Sequence, residues 1–497
     1  MGVVIRQSFL TTVLTYVGVV IGYVNVLILF PKYLSTEQIG LVRLIPSAAF
    51  LLLPLAQLGL AQCTVRYFPA FEKKQNGPGQ LLAFGFLGVT AGYLFTLVLY
   101  QVFKGHITNY FAAESALVND YQGVILAVLL VMSFQAVAEG YSRALLKIVA
   151  ANFAKEVLVR LGTSVTVLMY AAGLISFSAL VCSMIVVYGL SLLFLLGYLL
   201  VKKQLSFSFQ FSAFDKPLLK EMMTYSVYAL LGAGGSFIIL NVDQVMISGM
   251  LGLHWNGIYT TAFYIAVVIE MPRRALTQIT TPLVSRAFDR ADMVEVDNLY
   301  KKVSINQMIA GSLLYIGIAA NLSSIFRLVP NNEVFIQGIT VVNIIGIGKL
   351  VDMTFSLNGE IIVMSRYFRF NVVSLIILAF LAVLLNLWLI PAYGINGAAW
   401  ASAIALFLYN AVKMAFVWIK LGVQPFTWSN VKMLGIGAAV LVIGLYLPAF
   451  PNVFIDIFVR SVIITVLFMS GVLVFRVSND VNELVSSLVK KVFTKNM

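Results

Sequence analysis

Apolar runs of about 20 residues, each long enough to cross a bilayer at 1.5 Å rise per residue, recur along the whole chain between short polar stretches. They fall near 8–30, 39–60, 80–103, 122–141, 157–173, 178–201, 222–250, 257–283, 304–326, 334–364, 372–390, 397–419, 433–447 and 454–475. The runs predict an all-α polytopic membrane protein of about 14 transmembrane helices. A transmembrane β-barrel would show short alternating strands instead. A soluble helical protein would need longer polar segments to cover a core of this kind.

Composition agrees. Of 497 residues, 61% are hydrophobic and 11% charged, against about 25% charged in a typical soluble domain. Lys and Arg cluster at alternate ends of the spans. The N-terminus and the even connections carry Arg6, Arg66, Lys73, Lys74, Arg143, Lys147, Lys202, Lys203, Arg286, Arg290, Arg366 and Lys420 among others, while the odd connections hold Lys32, Lys104 and Arg327. This bias predicts that both termini are cytoplasmic, which requires an even number of spans. The net charge of +13 is then mostly membrane-surface charge, and a nucleic-acid partner is not expected. The first apolar run is too long for a signal-peptide core and lacks a cleavage site, so it is expected to remain as a helix. Cys63 and Cys182 fall near opposite faces in this topology, which argues against a disulfide.

A weak internal repeat is visible. Ile39-Gly40-Leu41 and Asn256-Gly257-Ile258 each open a span that a proline, Pro54 or Pro272, interrupts about four turns on. Spans one to six thus correspond to spans seven to twelve, with two more added. The expected divisions are an N-lobe at 1–201, a C-lobe at 202–420, a terminal helix pair at 421–476 and a cytoplasmic tail at 477–497. Val481, Leu484, Val485, Leu488, Val489 and Val492 stand at helical spacing in that tail and predict an amphipathic helix on the membrane surface. Duplicated bundles point to a transporter.

Charges within the spans are the candidate functional groups, since each costs about 2.5–3.5 kcal/mol on insertion scales unless it faces a cavity or a partner. Arg43 lies in span two, Asp243 in span seven, Glu270, Arg273 and Arg274 in span eight, and Lys349 and Asp352 in span ten, with Glu360 further along. Glu270 is spaced to meet Arg273 or Arg274 on its own helix, and Lys349 to meet Asp352. Pro272 should kink span eight. Asp243 has no opposite charge within a turn and must pair across helices, face water or hold a proton. Glu139 and Lys413 are expected at the cytoplasmic rim. Arg43, Arg273, Arg274 and Lys349 suit an anion-binding role, and Asp243, Glu270 and Asp352 suit ion coupling or structural pairing. No His/Cys metal spacing, phosphate-cradling glycine loop or serine elbow stands in the chain, so no metal, cofactor or catalytic site is expected.

Three segments carry a family resemblance: Pro391-Ala392-Tyr393-Gly394-Ile395-Asn396-Gly397-Ala398-Ala399-Trp400-Ala401-Ser402, Leu34-Ser35-Thr36-Glu37-Gln38-Ile39-Gly40, and Pro282-Leu283-Val284-Ser285-Arg286. Through them the chain resembles the polysaccharide transporters, O-antigen flippases included, of the multidrug/oligosaccharidyl-lipid/polysaccharide (MOP) flippase superfamily. The resemblance implies two six-helix lobes around a central cavity that opens alternately to each face. It implies movement of a lipid-linked saccharide, on undecaprenyl pyrophosphate, from the inner to the outer leaflet of the bacterial inner membrane. It also implies cavity cations for the anionic head group, with Arg43, Arg273 and Arg274 on helices that line it. Membrane lipids, and a polysaccharide polymerase and glycosyltransferases of the pathway, are the partners it implies. The rival expectations are a cation-coupled multidrug exporter of the same superfamily and a membrane polymerase or ligase acting on the same lipid-linked sugar.

Overall fold

A computed structural model describes the backbone from Gly2 to Thr494; the side chains of 1–6, 8, 9, 274, 275, 278, 484 and 488–494 lie outside the described residues. Among the described residues every regular element is helical. Eleven helices are long and apolar enough to cross a membrane. The expected fourteen emerge once local breaks are taken into account. The longest helix, Phe368–Leu421, runs through a non-helical Gly394 (φ 59°, ψ −139°) and so contains two of the expected spans. A thirteenth span is Val159–Ala171, entered through a π turn at Phe153–Leu158. A fourteenth is Leu253–Val267 followed by Met271–Asp289, with a 3-10 turn at Val268–Glu270 between them. That turn lies where Pro272 removes a donor and clashes with the preceding turn, so the expected kink is a change of helix type. Large apolar side chains such as Val98, Val102, Phe380 and Trp388 are exposed along these spans, as a lipid-facing surface requires.

Two compact units divide the chain, Met1–Thr260 and Thr261–Met497. In the first, Thr36–Gln57 is the central helix and packs against Lys216–Met250, Gln122–Ala144 and Gly77–Ala112. A capping box fixes its start: the Ser35 hydroxyl accepts from the Gln38 amide, and the Gln38 side chain accepts from the Ser35 amide. A core of Cys63, Tyr67, Phe68, Phe71, Tyr141 and Met222 fills one end of the unit. Cys63 and Cys182 are both free thiols.

The two repeat motifs meet in this unit. A Cβ on Gly40 would lie 2.0 Å from the Leu253 carbonyl oxygen, and one on Gly257 would lie 2.2 Å from the Thr36 oxygen. Leu253 stands as far along the chain from Thr36 as Gly257 does from Gly40, so the crossing is reciprocal. Asn256 Nδ2 donates to the Gly40 carbonyl at 2.9 Å across it. Glycine is required at both positions because backbone lies where a side chain would go.

In the second unit, Ile339–Phe355 packs against Phe368–Leu421 and Met293–Leu328, and the latter also carries Trp428–Tyr446 and Val453–Val474. The expected tenth span breaks at Ser356 (φ 54°, ψ −117°) and Leu357 (φ −84°, ψ 12°). These angles are those of the two central residues of a type II′ turn. The short helix Asn358–Met364 follows.

Candidate functional site

The break at Val268–Glu270 and the break at Ser356 bracket a group of charged side chains in the second unit. Glu270 and Arg273 come from one segment, Lys349 and Asp352 from another, and both pairs are three residues apart. Among the described side chains the pairing runs between the two segments. Lys349 Nζ lies 2.6 Å from Glu270 Oε2, and Arg273 Nη1 bonds Asp352 Oδ2. The order acid-then-base on one segment faces base-then-acid on the other, so two cross-helix pairs satisfy all four charges. Shielded from water, such pairs interact more strongly than the about 0.2–0.5 kcal/mol of an exposed pair within one helix.

The Asp352 carboxylate has a second support. Asn410 Nδ2 donates to its Oδ1 at 2.7 Å, and Asn358 Nδ2 donates in turn to Asn410 Oδ1 at 2.9 Å. Three segments thereby converge: Ile339–Phe355, the start of Asn358–Met364, and the far half of Phe368–Leu421. Sequence reasoning missed both asparagines. The available signal was that Asn410 and Lys413 share a helix face inside an apolar span.

Lys413 is only 5% exposed. Its ammonium hydrogen-bonds Tyr409 Oη at 3.3 Å and lies within electrostatic reach of Glu360, Asp352 and Arg273. Its burial follows from Gly359, where a Cβ would come 2.7 Å from Lys413 Nζ. Glu139 is buried as well, in an ion pair with Arg143 at 3.3 Å.

The other candidates belong to the first unit. Asp243 is buried and accepts from Tyr259 Oη at 2.7 Å, so it does bond across helices. Arg43 lies on Thr36–Gln57 with its guanidinium carbon 5.9 Å from the Phe30 ring centroid. The Arg274 side chain lies outside the described residues. Among the described residues no group of three or more His, Cys, Asp or Glu is placed to hold a metal.

What this arrangement can do is present cations to an anion. Arg273 offers a planar fork of donors and Lys349 a compact ammonium, both inside an apolar bundle. Each is held by a carboxylate.

The sequence pattern of the family described as "Polysaccharide biosynthesis protein" matches residues 4–288. An uncharacterized membrane protein of Methanocaldococcus jannaschii is 20% identical over 491 residues, covering 93% of this chain and 94% of its own. Among solved structures, the lipid II flippase MurJ in an inward closed conformation superposes with a TM-score of 0.74 at 13% identity, covering 94% of this chain and 98% of its own. An inward-facing multidrug resistance MATE family transporter of the MOP superfamily gives a TM-score of 0.64 at 14% identity, covering 84% of this chain and 94% of its own. These likenesses identify the fold.

Proposed function

The chain belongs to the polysaccharide biosynthesis protein family, and on that premise we propose that this multi-pass membrane protein is a flippase for a lipid-linked oligosaccharide. The reading is that it carries an undecaprenyl-pyrophosphate saccharide from the inner to the outer leaflet of the bacterial inner membrane, by alternating access, for surface polysaccharides such as O-antigen. Both termini are cytoplasmic in this reading. The observation that carries it is the family match joined to Arg273 and Lys349, two cations held inside an apolar bundle by displaceable carboxylates.

The physical problem is removing a pyrophosphate from water. Charge-assisted bonds from a guanidinium fork meet it, because they are about twice as strong as neutral ones. Arg273 and Lys349 are the leading groups, with Arg43 and Arg274 as further cations. Glu270 and Asp352 hold the two leading cations in place until the head group arrives. Asp243 serves helix contact through Tyr259 or ion coupling. An anion moving outward also gains about 2.3 kcal/mol per charge per 100 mV of membrane potential.

The test is flipping of a fluorescent undecaprenyl-pyrophosphate oligosaccharide in proteoliposomes. An Arg273→Ala, Lys349→Ala variant that also carries Glu270→Gln and Asp352→Asn, so that no buried carboxylate is stranded, is expected to lose transport while folding normally. Wild-type rates in that variant would remove the anion-site reading. The MATE likeness keeps multidrug export as the second reading. It predicts drug resistance on expression in a sensitive host, and the flippase reading predicts none.

A further inference from the structure

Lys413 and Glu360 are charged groups of the second unit that the proposed anion site does not use. Among the described residues neither makes an ion pair. The Lys413 ammonium is buried with Tyr409 Oη as its hydrogen-bond partner at 3.3 Å. Glu360 Oε2 is buried and takes no hydrogen bond. Yet both stand beside a pair that is made. Lys413 is within electrostatic reach of Asp352, Glu360 and Arg273, and Glu360 of Arg273, Lys413, Tyr300 and Tyr409. Lys413 is also one turn from Asn410, which grips Asp352 Oδ1.

Charge balance gives this arrangement a use. The described group holds three cations, Lys349, Arg273 and Lys413, against three carboxylates, Glu270, Asp352 and Glu360. An anion that takes Arg273 leaves Asp352 without its cation in a low-dielectric interior, which is strongly disfavoured. A buried ammonium that has a carboxylate within reach but no ion pair made can accept it.

We propose that Lys413 is a positioning residue that takes over Asp352 when a phosphate-bearing head group engages Arg273, with Glu360 holding Lys413 in reserve until then. This rests on the anion-binding reading of Arg273 given above. Arg273–Asp352 in one state and Lys413–Asp352 in the other would form a two-position switch, with Asn410 fixing the carboxylate in both. Removing the reserve cation weakens anion binding without touching the anion.

The test measures affinity for undecaprenyl pyrophosphate in detergent micelles, together with melting temperature in the absence of lipid. Because Lys413→Met alone strands Glu360 and threatens folding, the balanced double variant Glu360→Gln, Lys413→Met is the main probe. Its affinity is expected to fall about tenfold or more, with its lipid-free melting temperature near that of the wild type. Adding Asp352→Asn removes the carboxylate that needs the reserve cation, so affinity returns to at least the wild-type value. Lys413→Arg keeps it. Wild-type affinity in the double variant, or failure of Asp352→Asn to restore it, would overturn the switch while leaving the anion site standing. No binding by the wild type would overturn both.

Discussion

Ser356 holds a backbone conformation that its side chain disfavours. Its φ of 54° with ψ of −117° is the first central position of a type II′ turn, which glycine occupies at least cost, and its hydroxyl is buried without a hydrogen bond. Ser356→Gly should therefore raise stability by about 1 kcal/mol, strain relief exceeding the entropy of the added glycine. A thermal unfolding curve in detergent checks it, and a lower melting temperature would contradict it. Arg273→Ala should do the opposite. It takes the guanidinium from the buried Asp352 carboxylate, which then relies on Asn410 and on the reserve ammonium of Lys413, so the loss should stay below the about 3–5 kcal/mol of a fully stranded charge, and Asp352→Asn in the same chain should recover much of that loss. The charges themselves were legible in the sequence, because a carboxylate or guanidinium inside an apolar span stands out. Their pairing was not. Spacing within one helix favoured Glu270 with Arg273 or Arg274 and Lys349 with Asp352, and only the apposition of two segments brings Glu270 to Lys349 and Arg273 to Asp352. Asn410 and Asn358 escaped notice for a related reason: uncharged amides in a span look like ordinary helix contacts until the carboxylate they serve is known.

Helices were easier to foresee than their interruptions. Runs of apolar residues gave the spans, and the structure supplies each of them once Gly394, the π turn at Phe153–Leu158 and the 3-10 turn at Val268–Glu270 are recognised as local breaks. The π turn has no simple sequence signal. It packs against the first helix, where a Cβ on Gly18 would lie 2.5 Å from the Glu156 carbonyl oxygen, and the Asn25 side chain donates to the Arg160 carbonyl at 3.0 Å. Hydrophobicity alone cannot report such a close approach. The repeat glycines were visible but their meeting was not. Since backbone cannot yield as a flexible side chain can, Gly40→Ala and Gly257→Ala should each destabilise by about 1–3 kcal/mol, whereas Gly105→Ala, with nothing within 4 Å of the added Cβ, should not. Melting temperatures of the three variants in one detergent decide the matter; equal values would refute the crossing.

The chain's far end is tied back onto the second unit. Helix Asn479–Thr494 begins where Asp480 meets Lys302 at 2.7 Å and Asn306 at 2.9 Å, and Val481 packs on the core beneath. Burial works to raise the Asp480 carboxyl, but bonds from Lys302 and Asn306 outweigh it and hold the group below its ordinary value. The sign follows: the tie is complete above about pH 4, the unfolded carboxylate value, and is lost as pH falls through the lowered one. Limited proteolysis should find the tail resistant at neutral pH and cut more readily in acid, with Asp480→Asn cut readily at both. Resistance that is unchanged by acid would count against it. The Gly40–Gly257 crossing has one more implication. Interlocked side chains resist rotation, because knobs must leave their holes before one helix can turn on another. Two backbones in contact at paired glycines interlock less. Where Thr36–Gln57 meets Leu253–Val267, two side-chain bonds hold the backbones together, Asn256 Nδ2 on the Gly40 carbonyl and the Thr36 hydroxyl with His254 Nδ1 at 2.6 Å, so any turning of one helix on the other would have to pivot about this point.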